Sequence, residues 1–287
     1  MLKRDQIETI HGLVAGERSA VTALRREFHQ YPEISGQEKK TAVRVAEVLD
    51  GMGLHVATGI GGENGVVGFL EGSSRTPCIA IRADMDALPV PEATGLPFSS
   101  HHEGVSHACG HDAHMAMALG AARVLSDWPS GPLNGSVKFV FQPAEENLGG
   151  ARTMVSAGVL DNPLVDAVLA LHMDGSRPVG TITFREGQQS AATCELTLVL
   201  KGAGGHAAYP HRGCDTIHMA CEVVTSLQSW LSRVRAPSEP LVLTWGMMSG
   251  GWKSNVMAET VELQGTLRTT GFERTDEVVA GSREIMQ

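Results

Sequence analysis

Residues 137–146 read VKFVFQPAEE. Six residues with no turn signal run into a proline and then two adjacent glutamates. A short, nearly unbroken apolar run of this kind suits a strand buried on both faces. Two other runs have the same form. CIAIRA (78–83) leads into Asp84-Met85-Asp86, and AVLAL (167–171) leads into His172. Helical patterns precede and separate them, at SGQEKKTAVRVAEVLDGMG (35–53) and HDAHMAMALGAARVLSDW (111–128). This alternation predicts an α/β domain with a mostly parallel sheet. Polar groups then collect at the carboxyl ends of three buried strands, where open α/β sheets place their sites.

The first helix is expected to start on a capping box of Ser35 and Glu38. It carries an apolar stripe of Ala42, Val45, Ala46 and Leu49 and stops at Gly51 and Gly53. In the second, Met115, Leu119, Ala122, Val124 and Leu125 face inward. Cys109 and His111 therefore sit at its N-terminal approach, a usual position for a site. Beyond residue 186 the pattern changes. CELTLVLKG (194–202) alternates like a half-exposed strand. A helix over about 215–233, strands at 241–248 and 261–270, and the start of a helix at 273 complete a small α+β layer with one helical and one sheet face. The expected division is 1–186 and 187–287.

With 287 residues, 42% hydrophobic and 19% charged, the chain has a globular composition. Its formal net charge of -9 and lack of a basic stripe argue against a nucleic-acid partner. No segment has the apolar length of a signal peptide or a membrane span, so the expected address is the cytoplasm. The five cysteines (78, 109, 194, 214 and 221) are odd in number and scattered, which argues against a disulfide framework.

Taken singly, the polar groups are weak signals. Cys109-x-His111 is more often incidental than a ligand pair, adjacent acids usually form a solvated turn, and His172 could be an ordinary satisfied histidine. Their convergence on one sheet edge is what suggests chemistry. A thiolate, two imidazoles and two carboxylates suit zinc and its neighbours. They exceed what one four-coordinate ion needs, which suggests two ions. Neighbouring glutamates point in different directions, so one can bind metal while the other serves as general base. A competing reading makes Cys109 a nucleophile with His111 or His172 as base, but it leaves Glu145-Glu146 without a task. H-E-x-x-H and G-x-S-x-G are absent, and GAGGHA is followed by Tyr209-Pro210, which interrupts any phosphate-binding helix. His101, His102 and His107 are expected to cap or solvate the loop before the site.

RREFHQYPEISGQE (25–38), IRADMDALP (81–89), HACGHDAHMAMALGAA (107–122), FQPAEE (141–146), LALH (169–172) and GGHAAYPH (204–211) occur in one order. In that order the chain resembles the amidohydrolase branch of the metallo-aminoacylase/carboxypeptidase family, which includes hydrolases of hippurate, of other N-acyl amino acids and of indole-acetyl-amino-acid conjugates. The resemblance implies a zinc-peptidase-like catalytic domain with an inserted lid and dimerisation domain. It implies two divalent ions, zinc or manganese with cobalt and nickel as alternatives, held by Cys109, His111, Glu146 and His172. Cys109 would bridge, and Glu145 would act as general base on a water that attacks the amide of an N-acyl amino acid. Asp84 would orient a ligand or tune its charge. His206 would reach substrate from the lid, often across a homodimer, and Asn255 would be a further substrate contact. Ala258 stands where the family usually has proline. The family carries one more metal-binding histidine near its C-terminus, whereas no histidine follows His218 here. The chain is therefore expected to be C-terminally truncated, with an incomplete catalytic domain, an unpaired sheet edge and weakened activity. A dimerising or metal-holding remnant is the non-enzymatic alternative.

Overall fold

A computed structural model describes residues 3–147 and 149–286. The chain divides into two compact units, Met1–Pro178 and Val179–Gln287. The division lies upstream of 186/187, and residues 171–191 between the flanking strands hold no helix or strand.

The first unit begins with helices α1 (Arg4–Gln30) and α2 (Lys39–Asp50). Strands β1 (His55–Thr58), β2 (Val66–Leu70) and β3 (Cys78–Asp84) follow, then α3 (His111–Ser126), β4 (Ser136–Gln142), α4 (Gly150–Ser156) and β5 (Ala167–Ala170). The sheet order is β1-β2-β4-β3-β5. The sheet is mixed. The strands that carry the candidate residues, β4, β3 and β5, are mutually parallel, while β1–β2 and β2–β4 are antiparallel.

β4 is buried at every position because helices cover both its faces. Val137, Phe139 and Phe141 pack with Phe28, Val45, Leu49, Met115 and Leu119 from α1, α2 and α3. Val140 turns to the opposite face and packs with Met154 of α4 and Val159. This is the period-two alternation of a strand. Lys138 shares that second face and is buried, which would be costly without partners. Its Nζ donates to the carbonyls of Val159 (3.0 Å), Asp161 (2.6 Å) and Pro163 (3.0 Å). At the other end of the sheet, β5 pairs with β3 alone among the described residues, and Val168 and Leu169 are more than half exposed.

The expected capping box does not form. α2 starts one residue after Glu38, whose carboxylate bonds elsewhere, and Ser35 Oγ donates to Asp86 Oδ2. Both side chains are committed to the site described below.

The second unit contains an antiparallel sheet of β6 (Ala192–Lys201), β10 (Thr260–Thr269) and β8 (Val242–Gly250), in that order. Helices α5 (Thr216–Val234) and α6 (Phe272–Ile285) cover one face through Leu227, Leu231, Leu243, Leu267 and Val278. A two-stranded ribbon joins β7 (Gly205–His206) to β9 (Val256–Met257). No helix among the described residues is long and apolar enough to cross a membrane.

Candidate metal centre

Parallel β3, β4 and β5 bring their carboxyl ends to one edge, and the N-terminus of α3 meets them there. Among the described residues three donor groups share His111. Cys109 and His172 join it in one, Glu145 and Glu146 in another, and Asp84 and His114 in the third, with the ligand atoms of each group within 4.8 Å of one another. Cys109 Sγ is 3.5 Å from His172 Nε2, and His111 Nε2 is 3.8 Å from Glu146 Oε1.

Hydrogen bonds fix which ring nitrogen each histidine presents. His111 Nδ1 donates to the Asp86 carbonyl at 2.7 Å, leaving Nε2 with a free lone pair. His172 Nδ1 donates to the Met173 carbonyl at 2.7 Å, so its Nε2 faces the thiol. His111 Nε2 and Glu146 Oε1 are buried atoms with no hydrogen-bond partner. Two such atoms facing each other across 3.8 Å, beside a thiol and a second imidazole, fit a divalent cation.

The field of the site is negative. Burial pushes the Cys109 thiol up to about 12, and the Glu146 charge adds to the effect. A free cysteine nucleophile needs the opposite shift, so the thiol here needs a cation to become a thiolate. Burial disfavours charge on His111, but Asp86, Asp84 and Glu146 together raise its pKa. Burial and then the Glu146 charge raise the Glu145 carboxyl, the direction that suits a general base.

The loop bearing both glutamates is held from below. Buried Glu38 accepts the N–H of Ala144 (2.8 Å) and of Gly36 (2.8 Å) through Oε1, and the Asn64 amide (2.9 Å) through Oε2. Ala144 has φ 51, an uncommon value for a residue with a Cβ, and Glu38 secures the N–H of that turn. Asp86 Oδ2 accepts the Glu146 N–H at 2.9 Å.

Asp84 does not bond a candidate ligand directly. It accepts from His114 Nδ1 at 2.6 Å and pairs with Arg82 at 2.7 Å, while His111 Nε2 lies 3.7 Å away. His107 is buried and both its ring nitrogens lack partners, contrary to its expected solvating role; burial pushes its pKa down to about 4. The sequence reading missed Glu38, Asp86 and His114. For His114 a signal existed, since three residues after His111 on a helix is the same face. For Glu38 the signal pointed elsewhere, to a capping box.

His206 and Asn255 lie in the second unit, where β7 and β9 make them neighbours. The Asn255 carbonyl accepts the Ala207 N–H at 3.1 Å. The exposed His206 ring accepts the Ala208 N–H at Nδ1 (3.1 Å), so in the neutral ring Nε2 carries the proton.

Residues 80–283 match the family model described as Peptidase family M20/M25/M40. The chain belongs to the M20/M25/M40 family. An N-acetyldiaminopimelate deacetylase of Geobacillus sp. is 40% identical over 279 residues, covering 94% of this chain and 73% of that protein. A probable hydrolase of Synechocystis sp. is 45% identical over 247 residues, 86% of this chain and 62% of that one. The M20 chain thus spans about three fifths to three quarters of these relatives' lengths. Among solved structures, the YXEP protein of Bacillus subtilis, described as a dinuclear metal binding peptidase from the M20 family, superposes with a TM-score of 0.75 at 32% identity. The alignment covers 95% of this M20 chain and 70% of that chain.

Proposed function

We propose that this chain carries the metal centre of an amidohydrolase that cleaves the amide bond of N-acyl amino acids. The observation that carries the reading is the pair of buried, partnerless atoms, His111 Nε2 and Glu146 Oε1, 3.8 Å apart and adjoining the Cys109–His172 pair. Cys109, His111, Glu146 and His172 would hold two divalent ions, zinc or manganese. When bound, such ions polarise a carbonyl and lower the pKa of water toward about 7. Glu145 takes a proton from the attacking water as the C–O bond forms. It passes the proton to the amine nitrogen as the C–N bond breaks. His206, with its proton on Nε2, is suited to donate to the oxyanion of the tetrahedral intermediate, and Asn255 contacts substrate beside it. A homodimer formed through residues 187–287 and a cytoplasmic address belong to the same reading.

The substrate class is drawn from relatives named for N-acetyl amino acid deacetylation. The test is hydrolysis of N-acetyldiaminopimelate, N-acetylcysteine and hippurate by the chelator-stripped chain, with and without added Zn²⁺ or Mn²⁺. Metal-dependent release of the free amino acid, slowed by at least about 100-fold in Glu145→Gln, is the expected result. Turnover that ignores chelator and stops on thiol alkylation would overturn the metal reading.

A further inference from the structure

Three imidazoles crowd this edge, His111 and His114 buried and His172 exposed, and their lone pairs are not equivalent. A neutral imidazole has one N–H and one bare nitrogen. His111 and His172 each spend the N–H on a backbone carbonyl and keep Nε2 bare. His114 differs. Its Nδ1 donates to Asp84 Oδ1 at 2.6 Å, and its Nε2 accepts the backbone N–H of Met173 at 2.8 Å. Both nitrogens are therefore occupied by protein, although Asp84, His111 and His114 lie close enough together to resemble a third donor cluster.

Met173 follows His172 and also supplies the carbonyl that orients its ring. A second contact seats the same residue. Gly110, at the start of α3, has φ +86, and a Cβ there would lie 3.0 Å from Met173 Cβ. Helix α3 thus grips the segment after β5 at two points, while Arg82 pairs with the Asp84 that holds the His114 ring. His172 has no comparable anchor of its own, being exposed.

We infer that His114 is a positioning residue for the His172 donor, acting through the Met173 backbone, and is not a metal ligand. The inference rests on the proposed metal centre and deepens it. Glutamine places its carbonyl oxygen near the Nε2 position and can still accept from Met173. Asparagine places its amide near Nδ1 and keeps Asp84 but cannot reach Met173. The two substitutions therefore separate the two bonds.

The test uses the full chain stripped by chelator and titrated with Zn²⁺ by calorimetry. His114→Asn should weaken the His172-dependent ion by about 10–100-fold, the usual cost of losing an outer partner. His114→Gln should stay within about threefold of wild type. Independently of metal, ¹⁵N spectra of the wild-type His114 ring should show a protonated Nδ1 and a bare Nε2, unchanged on Zn²⁺ loading. The Met173 amide should be protected from hydrogen exchange in wild type and His114→Gln, and lose that protection in His114→Asn. Equal loss of Zn²⁺ in both variants, or an Nε2 resonance that shifts to a metal-bound value, would make His114 a ligand and overturn the inference. So would wild-type affinity in His114→Asn, or a proton on Nε2 in wild type, a result that needs no variant to fold. Failure of the wild-type chain to bind Zn²⁺ would remove the metal centre itself and the inference with it.

Discussion

Glu145 and Glu146 are neighbours with different surroundings. Asp86 fixes the backbone of Glu146, whose Oε1 turns toward His111, while burial and the adjacent charge raise the Glu145 carboxyl. Substitutions should separate their roles. Glu145→Gln is expected to lower kcat by about 10²–10⁴-fold, the range for loss of a general base, with Zn²⁺ affinity changed only a few-fold. Glu146→Gln should lose metal affinity first, and calorimetry beside steady-state kinetics distinguishes the two. The placement of the candidate donors was legible in the sequence, because Glu145, Glu146 and His172 follow apolar strand runs and Cys109 and His111 stand at the start of a helical pattern. Their supports were not. Ser35 reaches Asp86 across 51 positions and Glu38 reaches Ala144 across 106, distances over which no local periodicity reports. The S-x-x-E spacing of Ser35 and Glu38 is also that of a capping box, so local pattern favoured the wrong partners.

At the scale of elements, the N-terminus of α3 bears most of the load. Asp112 in its first turn is fully buried and accepts from Arg25 (2.8 Å) and His29 (2.8 Å) of α1, tying two helices together where the helix dipole favours an anion. The other nitrogen of His29 meets Glu92 at 3.2 Å. Burial works against the Glu92 charge, but the Ser100 N–H, the Thr94 hydroxyl and His29 outweigh it and hold its pKa down to about 2. Because the folded pKa is below the unfolded one, the stabilisation is complete above about 4.5 and is lost as pH falls toward 2. Glu92→Gln should therefore be less stable than wild type in urea melts at pH 7, with the gap closing between pH 4.5 and 2. Gly110→Ala tests the same helix end. Its φ of +86 and the Met173 contact predict a loss of about 1–2 kcal/mol, read from denaturant midpoints. Helix α1 received no sequence assignment. It buries only Phe28 and His29, so its apolar stripe is faint. β2 is interrupted by Gly68, which weakens a strand pattern. By contrast α3, β3 and β4 were readable because they are buried enough to need long apolar stretches.

At the scale of the molecule, two units with separate cores are joined through a stretch that is strongly exposed at Val179, Ile182 and Phe184. Brief trypsin treatment is expected to cut first after Arg185, giving pieces of about two thirds and one third of the chain. Early cleavage inside either core would contradict that division. The α/β class and the α+β character of the second unit were both legible from the change in hydrophobic period after residue 186. The antiparallel β1 and β2 were not, since β1 is short and mostly exposed. The proposed function depends on sulfur, nitrogen and oxygen donors from two strand ends and one helix start meeting around cations. X-ray absorption on the Zn²⁺-loaded chain tests that most directly. A Zn–S shell at about 2.3 Å, lost in Cys109→Ser and kept in Cys221→Ser, is the predicted result; a sulfur-free coordination sphere, or a sulfur shell that survives Cys109→Ser, would contradict it.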